Sequence, residues 1–175
     1  QHFKAVAQHT SLPILLYNIP GRTGTNMTPE TIARLAAIDN IVGVKEAAGS
    51  VEQVKAIHAL VPNDFLIYSG DDGLTLSFME EGAVGVVSVA SHCVGRQIKS
   101  MMEAFLSGDR SSAEAIQTQL ADLFKVLFIT SNPSPVKGAL RMMGLDVGQT
   151  RLPLVPLTSD EEAQVSACLQ ALDLI

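Results

Sequence analysis

The chain has 175 residues, 47% hydrophobic and 17% charged, a composition that excludes intrinsic disorder. Its 12 basic and 18 acidic side chains give a net charge of −6, which argues against a nucleic-acid surface. No run of about 18 apolar residues marks a membrane span. Cys93 and Cys168 lie far apart and outside any CxxC pattern, so they read as two reduced thiols of a cytoplasmic protein, not as a disulfide or a zinc site.

In chain order, the first ten residues, QHFKAVAQHT, already read as a helix, as they would in a piece of something longer. Four short apolar runs follow: Pro13–Ile19, Ile41–Glu46, Phe65–Ser69 and Val84–Val89. Near-continuous runs rich in Val and Ile suit strands buried on both faces of a parallel sheet. Helical patterns lie between them. Thr28 with Pro29 opens the first, with Ile32, Leu35 and Ala36 behind. Ser50 caps the next, carrying Val54, Ile57 and Leu60. Asp72-Gly73 precedes Leu74, Leu76 and Phe78, and Gly95 precedes a helix ending near Ser107-Gly108. This alternation is the signature of parallel βα units.

After Gly108 the strands stop. Residues 111–129 form a long amphipathic pattern, and Ser131–Pro135 is a loop before a shorter helix through Met143. Gly144–Pro156 is a Gly- and Pro-punctuated connection, and Thr158 to Glu162 opens a last helix with acids where its dipole favours them. Four parallel strands suit half of an eight-stranded barrel or part of an open doubly wound sheet. Gly21-Arg22-Thr23-Gly24 lacks the spacing of a dinucleotide fingerprint. A whole barrel takes about 250 residues. The expected fold class is therefore α/β, the C-terminal half of a (β/α)8 TIM barrel over residues 1–108, then an all-helical extension over 109–175.

Lys45 is the oddity of the second run. By the period-two rule it shares a face with Ile41, Gly43 and Ala47, the small residues leaving room for a long side chain. One reading sends its ammonium to solvent or to Glu46. The other makes it an amine desolvated inside a barrel, able to attack a carbonyl and form a Schiff base. Tyr17 sits near the end of the preceding strand, either as core or facing Lys45 as a proton shuttle. Arg22, between Gly21 and Gly24, can grip a carboxylate with two parallel hydrogen bonds or stand as a solvated loop residue. Ser69-Gly70-Asp71-Asp72 ends the third strand, where barrel sites lie. His2, His9, His58 and His92 make no metal-ligand spacing.

Together, Tyr17–Gly24, Val42–Ala47, Tyr68–Asp72, Gly85–Val89 and Asn132–Lys137 resemble the dihydrodipicolinate synthase (4-hydroxy-tetrahydrodipicolinate synthase) family of class I pyruvate-dependent aldolases and lyases. The resemblance runs in order along essentially the whole chain. It implies a (β/α)8 barrel with a helical extension, of which this chain is the C-terminal portion. It implies that Lys45 is the Schiff-base lysine that takes pyruvate and Tyr17 the proton shuttle. Arg22 would hold the carboxylate of aspartate semialdehyde, Val87 would line the pyruvate pocket through its backbone, and Gly70 would lie near it. It implies no metal and no cofactor, two small-molecule substrates, no nucleic-acid or membrane partner, and a homotetramer when complete. The product would feed lysine and diaminopimelate synthesis. A Thr-Thr-Gly segment for the pyruvate carboxylate, the other relay hydroxyls and a lysine feedback site would belong to the other half. N-acetylneuraminate and sugar-acid aldolases share the Lys and Tyr, and the Gly21–Gly24 loop favours the small carboxylate-bearing aldehyde. A non-catalytic association module is the alternative of a different class.

Overall fold

The computed structural model describes residues 1–175, which divide into two compact units, Gln1–Val87 and Ser88–Ile175. In the first unit the four apolar runs form β1 (Ile14–Asn18), β2 (Ile41–Glu46), β3 (Leu66–Ser69) and β4 (Gly85–Val86). They make one parallel sheet in the order β1-β2-β3-β4. Parallel neighbours need crossovers, and helices supply them. Helix α1 (His2–Gln8) precedes the sheet. Then α2 (Pro20–Thr23) and α3 (Pro29–Ala36) link β1 to β2, α4 (Val51–Leu60) links β2 to β3, and α5 (Thr75–Glu80) links β3 to β4.

The local signals behave as the chemistry requires. Thr28 accepts a hydrogen bond from the Thr31 amide with Pro29 at the first helical position, and Ser50 accepts from Gln53 N at 3.1 Å. One face of the sheet is sealed: Leu16, Val44 and Ile67 are buried, as are Ile32 of α3, Ile57 of α4 and Phe78 of α5. Each such side chain contributes roughly 1.5–3 kcal/mol of transfer free energy. The other face carries Leu15, Tyr17 and Leu66 at 41%, 44% and 37% exposure, so this sheet is buried on one side and open on the other.

Two expectations are corrected here. Ile41 does not follow Lys45 by the period-two rule, because the register with β1 jumps from Ile14↔Ile41 to Leu15↔Gly43. The extra residue, Val42, breaks the alternation, and Ile41 is buried as Val44 and Glu46 are. The fourth run is shorter than expected, with only Gly85 and Val86 as strand. As the last strand it pairs with β3 alone, and its flanks are fastened by Val84 N to Ile67 O at 2.8 Å and Val87 N to Ser69 O at 2.8 Å.

The second unit is helical: α6 (Ser91–Leu106), α7 (Arg110–Val126), α8 (Ser134–Met142) and α9 (Ser159–Ala171). Helix α6 starts four residues before Gly95, and non-helical angles at Val94 (φ −128°, ψ 37°) divide it into two pieces. Met101, Leu120, Leu123 and Leu169 form its buried core. Gly138 of α8 is needed for close approach, since a Cβ there would lie 2.6 Å from Leu157 Cδ1. Thr158 and Glu161 form a reciprocal capping box at the start of α9. No helix of the chain is long and apolar enough to cross a membrane.

Candidate active site at the C-terminal end of the sheet

Parallel register decides which side chains meet. Tyr17 pairs with Lys45, Lys45 with Tyr68, and Tyr68 with Gly85, so these four positions form one row across the sheet. The row lies near the C-terminal ends of the strands and on the open face. Lys45 is half-buried and Tyr17 is 44% exposed. The Lys45 Nζ stands 4.3 Å from the centroid of the Tyr17 ring. That is a cation–π contact with the ring face, within the range at which a lysine is held by an aromatic quadrupole. It keeps the amine directed at the open side of the sheet.

Gly70 completes the lysine's surroundings. Its amide donates to Glu46 O at 2.7 Å, which brings the backbone beyond β3 alongside the end of β2. A Cβ on Gly70 would lie 2.6 Å from Ala47 Cβ and 3.1 Å from Lys45 Cε. The absence of a side chain there is what lets the lysine stem pass. Gly43 was expected to do this, but a Cβ on Gly43 would collide with Leu66 O and touch Leu15, so its small size serves strand contact instead. Val87 follows the β4 pairing, its amide bonded to Ser69 O at 2.8 Å and its side chain 39% exposed. Ser69, Asp71 and Asp72 close the turn beside Gly70: Ser69 Oγ donates to Asp71 O at 2.7 Å, and Asp71 Oδ1 accepts from Gly73 N at 2.9 Å.

Arg22 stands apart from this group. The segment expected as a loop is the single turn α2, with Pro20 at its start and Gly24 in the left-handed region (φ 71°) at its end. Arg22 sits in its last turn, exposed and without an ion pair inside the chain. The structure thus brings Tyr17, Lys45 and Gly70 together and leaves the guanidinium at the solvent edge.

The strand also separates Lys45 from Glu46, because successive side chains point to opposite faces. Glu46 is not the partner of Lys45. It is fully buried on the sealed face and accepts from Asn18 Nδ2 at 3.1 and 2.9 Å, Gln53 Nε2 at 3.0 Å and Ala48 N at 2.7 Å. Asn18 in turn donates to Asn26 Oδ1 at 2.7 Å and accepts from Met27 N at 3.0 Å. Sequence reasoning passed over this cluster. The available signal was Glu46 sharing strand parity with the buried Val44, a place where a carboxylate must be hydrogen-bonded.

Burial raises the Cys93 thiol to about 11 and also raises Cys168, so neither is a ready nucleophile. No group of three or more His, Cys, Asp or Glu side chains is placed to hold a metal ion.

A family model described as the dihydrodipicolinate synthetase family matches residues 1–172. The chain belongs to that family. Among relatives, it is 56% identical over 180 residues to a 4-hydroxy-tetrahydrodipicolinate synthase of Nostoc sp., covering all of this chain and 60% of that protein. It is 52% identical over 176 residues to the protein of that name from Cyanothece sp., with the same two coverages. Among solved structures, a synthetase-family enzyme of Cyanidioschyzon merolae with lysine bound superposes with a TM-score of 0.97 at 47% identity, over 99% of this chain and 59% of the other. A dihydrodipicolinate synthase from Acinetobacter baumannii, complexed with pyruvate, superposes with a TM-score of 0.95 at 38% identity, over 100% of this chain and 60% of that one. The chain therefore spans about 60% of the length of the dihydrodipicolinate synthetase family members it matches.

Proposed function

We propose that this chain is the C-terminal portion of a 4-hydroxy-tetrahydrodipicolinate synthase. Its sheet is read as strands five to eight of a (β/α)8 barrel, with residues 1–108 as the partial barrel and residues 109–175 as the helical extension. The open sheet face supports the barrel reading. Leu15, Tyr17, Leu66 and Val87 are each more than a third exposed here, and barrel closure would bury them as lumen residues.

The contact that carries the functional reading is Lys45 over the Tyr17 ring, at the strand ends where barrel enzymes place their chemistry. In the proposed reaction the unprotonated Lys45 amine adds to the ketone of pyruvate. Water leaves and an imine forms. The imine acidifies the neighbouring methyl group, whose proton is lost to give an enamine. The enamine carbon adds to the aldehyde of aspartate semialdehyde. The amino group of that adduct then displaces Lys45, closing the ring and freeing the lysine. The sum is pyruvate plus aspartate semialdehyde giving 4-hydroxy-tetrahydrodipicolinate plus water. The Tyr17 phenol carries protons among these steps. Arg22 grips the carboxylate of the semialdehyde, a role its exposure at the solvent edge leaves open to an incoming anion. Val87 lines the pyruvate pocket through its backbone, and Gly70 preserves the lysine's space.

The reading includes a cytoplasmic homo-oligomer, the tetramer of the family, working in lysine and diaminopimelate synthesis. Its test is reductive trapping. The complete protein is incubated with pyruvate and borohydride, and the modified peptide is located by mass spectrometry. The expected adduct is on Lys45. An adduct on another lysine, or none, overturns the mechanism.

A further inference from the structure

Glu46 is a fully buried carboxylate one residue from Lys45, and the proposed reaction does not use it. Its register neighbours on the sealed face, Asn18 of β1 and Ser69 of β3, are polar and buried, while the Val44–Ile67 pair one layer below is apolar. An apolar side chain at 46 would leave the buried Asn18 donor and the Gln53 donor without this acceptor. What needs an acceptor is the polar cluster around it. Asn18 is the last residue of β1, and the chain leaves it into α2 and Arg22. It returns at Asn26 and Met27, where Asn26 Oδ1 and Met27 N both bond to the Asn18 side chain, at 2.7 and 3.0 Å. Gln53, donating to Glu46 at 3.0 Å, also accepts from Asn26 Nδ2 at 2.8 Å and donates to Met27 O at 3.4 Å. Both ends of the Arg22 segment are thus tied, through Asn18 and Gln53, to one carboxylate on the lysine's own strand.

We propose that Glu46 is a positioning residue. Its carboxylate orients Asn18 and Gln53, which seat the Ile19–Met27 segment and so hold Arg22 at the end of the sheet where Lys45 stands. The consequence for substrate rests on the reading of Arg22 as the semialdehyde clamp.

The test uses the complete protein with Glu46→Gln. The variant places an amide donor against the donors of Asn18 and Gln53. Amide hydrogen exchange at Met27 and Ala48 is expected to accelerate about tenfold or more, a lost hydrogen bond's worth, with Val44 and Ile67 unchanged. The KM for aspartate semialdehyde rises by a similar factor, while the rate of pyruvate trapping on Lys45 stays within about threefold. The exchanged pair Glu46→Gln with Gln53→Glu restores a donor facing an acceptor and recovers part of both losses. Asn26→Ala, at an exposed position, frees the segment without touching the buried pair. It reproduces the faster Met27 exchange even where Glu46→Gln folds poorly. Unchanged exchange at Met27 in both variants overturns the proposal. So does acceleration throughout the sheet with equal loss of trapping and turnover, which is the mark of a purely structural role. If the unmodified protein forms no pyruvate adduct, the reading of the reaction fails separately, and the exchange pattern alone decides whether Glu46 seats the segment.

Discussion

The Lys45 amine meets the face of the Tyr17 ring, 4.3 Å from its centroid, and the two are register partners on adjacent strands. Ring and hydroxyl therefore have separable duties. The ring positions the lysine side chain, and in the proposed mechanism the phenol would carry the proton transfer. Tyr17→Phe is expected to keep pyruvate trapping on Lys45 and to lower turnover by about 10²–10⁴-fold, the usual contribution of a placed acid–base group. Tyr17→Ala is expected to slow trapping as well. Trapping rate and steady-state turnover, measured on both variants, separate the two duties. Equal effects of Phe and Ala would mean that the ring contact has no part in placing the amine.

Arg22 lies at the solvent edge, so its removal leaves the sheet undisturbed. Arg22→Ala is expected to leave the melting temperature unchanged and to raise the KM for aspartate semialdehyde by about 10–100-fold, the loss of charge-assisted hydrogen bonds. Pyruvate trapping on Lys45 should be unaffected. Arg22→Lys recovers only part of the loss, because an ammonium lacks the fork that matches a carboxylate. Parallel loss of trapping and of semialdehyde binding would remove Arg22 from its proposed role.

The parts legible in the sequence were those governed by local rules. The strand cores, the Thr28 and Ser50 caps and the acid-rich start of the last helix at Thr158 each involve residues at most a turn apart. Both strand ends were legible, but whether Tyr17 faced Lys45 or the core stayed open until the parallel register paired them. What failed to show depended on distant residues. The Val42 irregularity arises from pairing with β1, and it moved Ile41 to the other face against a correct period-two rule. The Glu46 cluster joins Asn18, Asn26, Gln53 and Glu46 across the fold, and a side chain 28 residues away leaves no local trace. The α2 turn had its punctuation in view, Pro20 at its start and Gly24 after it, but four residues are too few for a periodic pattern.

The two cysteines give a pH-dependent expectation. Burial holds the Cys93 thiol at about 11, against about 8.5 for a free cysteine. The thiolate is the reactive form, so at pH 8 only about a thousandth of Cys93 is reactive. Alkylation of the folded protein by iodoacetamide at pH 8 should run roughly two hundredfold slower than that of a free thiol, and faster as pH rises toward 11. Mass spectrometry of the Cys93 peptide over time reads the rate directly. Because the shift comes from desolvation, unfolding in denaturant should abolish the difference. Rapid labelling of the native protein at pH 8 would contradict the burial.

Gly70 and Gly21 make a matched pair of tests. At Gly70 a methyl group would meet Ala47 Cβ at 2.6 Å and Glu46 O at 3.0 Å, both fixed to the backbone, and Lys45 Cε at 3.1 Å. The first two can give way only if the β2–β3 contact spreads, and the flexible lysine stem moves as well. Gly70→Ala is expected to destabilise by about 1–3 kcal/mol, as overpacking does. It should also slow pyruvate trapping on Lys45 by tenfold or more, about what a displaced reacting atom costs. At Gly21 a methyl group would meet nothing within 4 Å, and the residue lies inside a helical turn. Gly21→Ala should therefore change stability by less than about 1 kcal/mol, in the favourable direction. Denaturant melts and trapping rates on the two variants distinguish crowding of Lys45 from a general intolerance of alanine. A Gly70→Ala protein that traps pyruvate at the normal rate would show that the lysine reaches its substrate by another path.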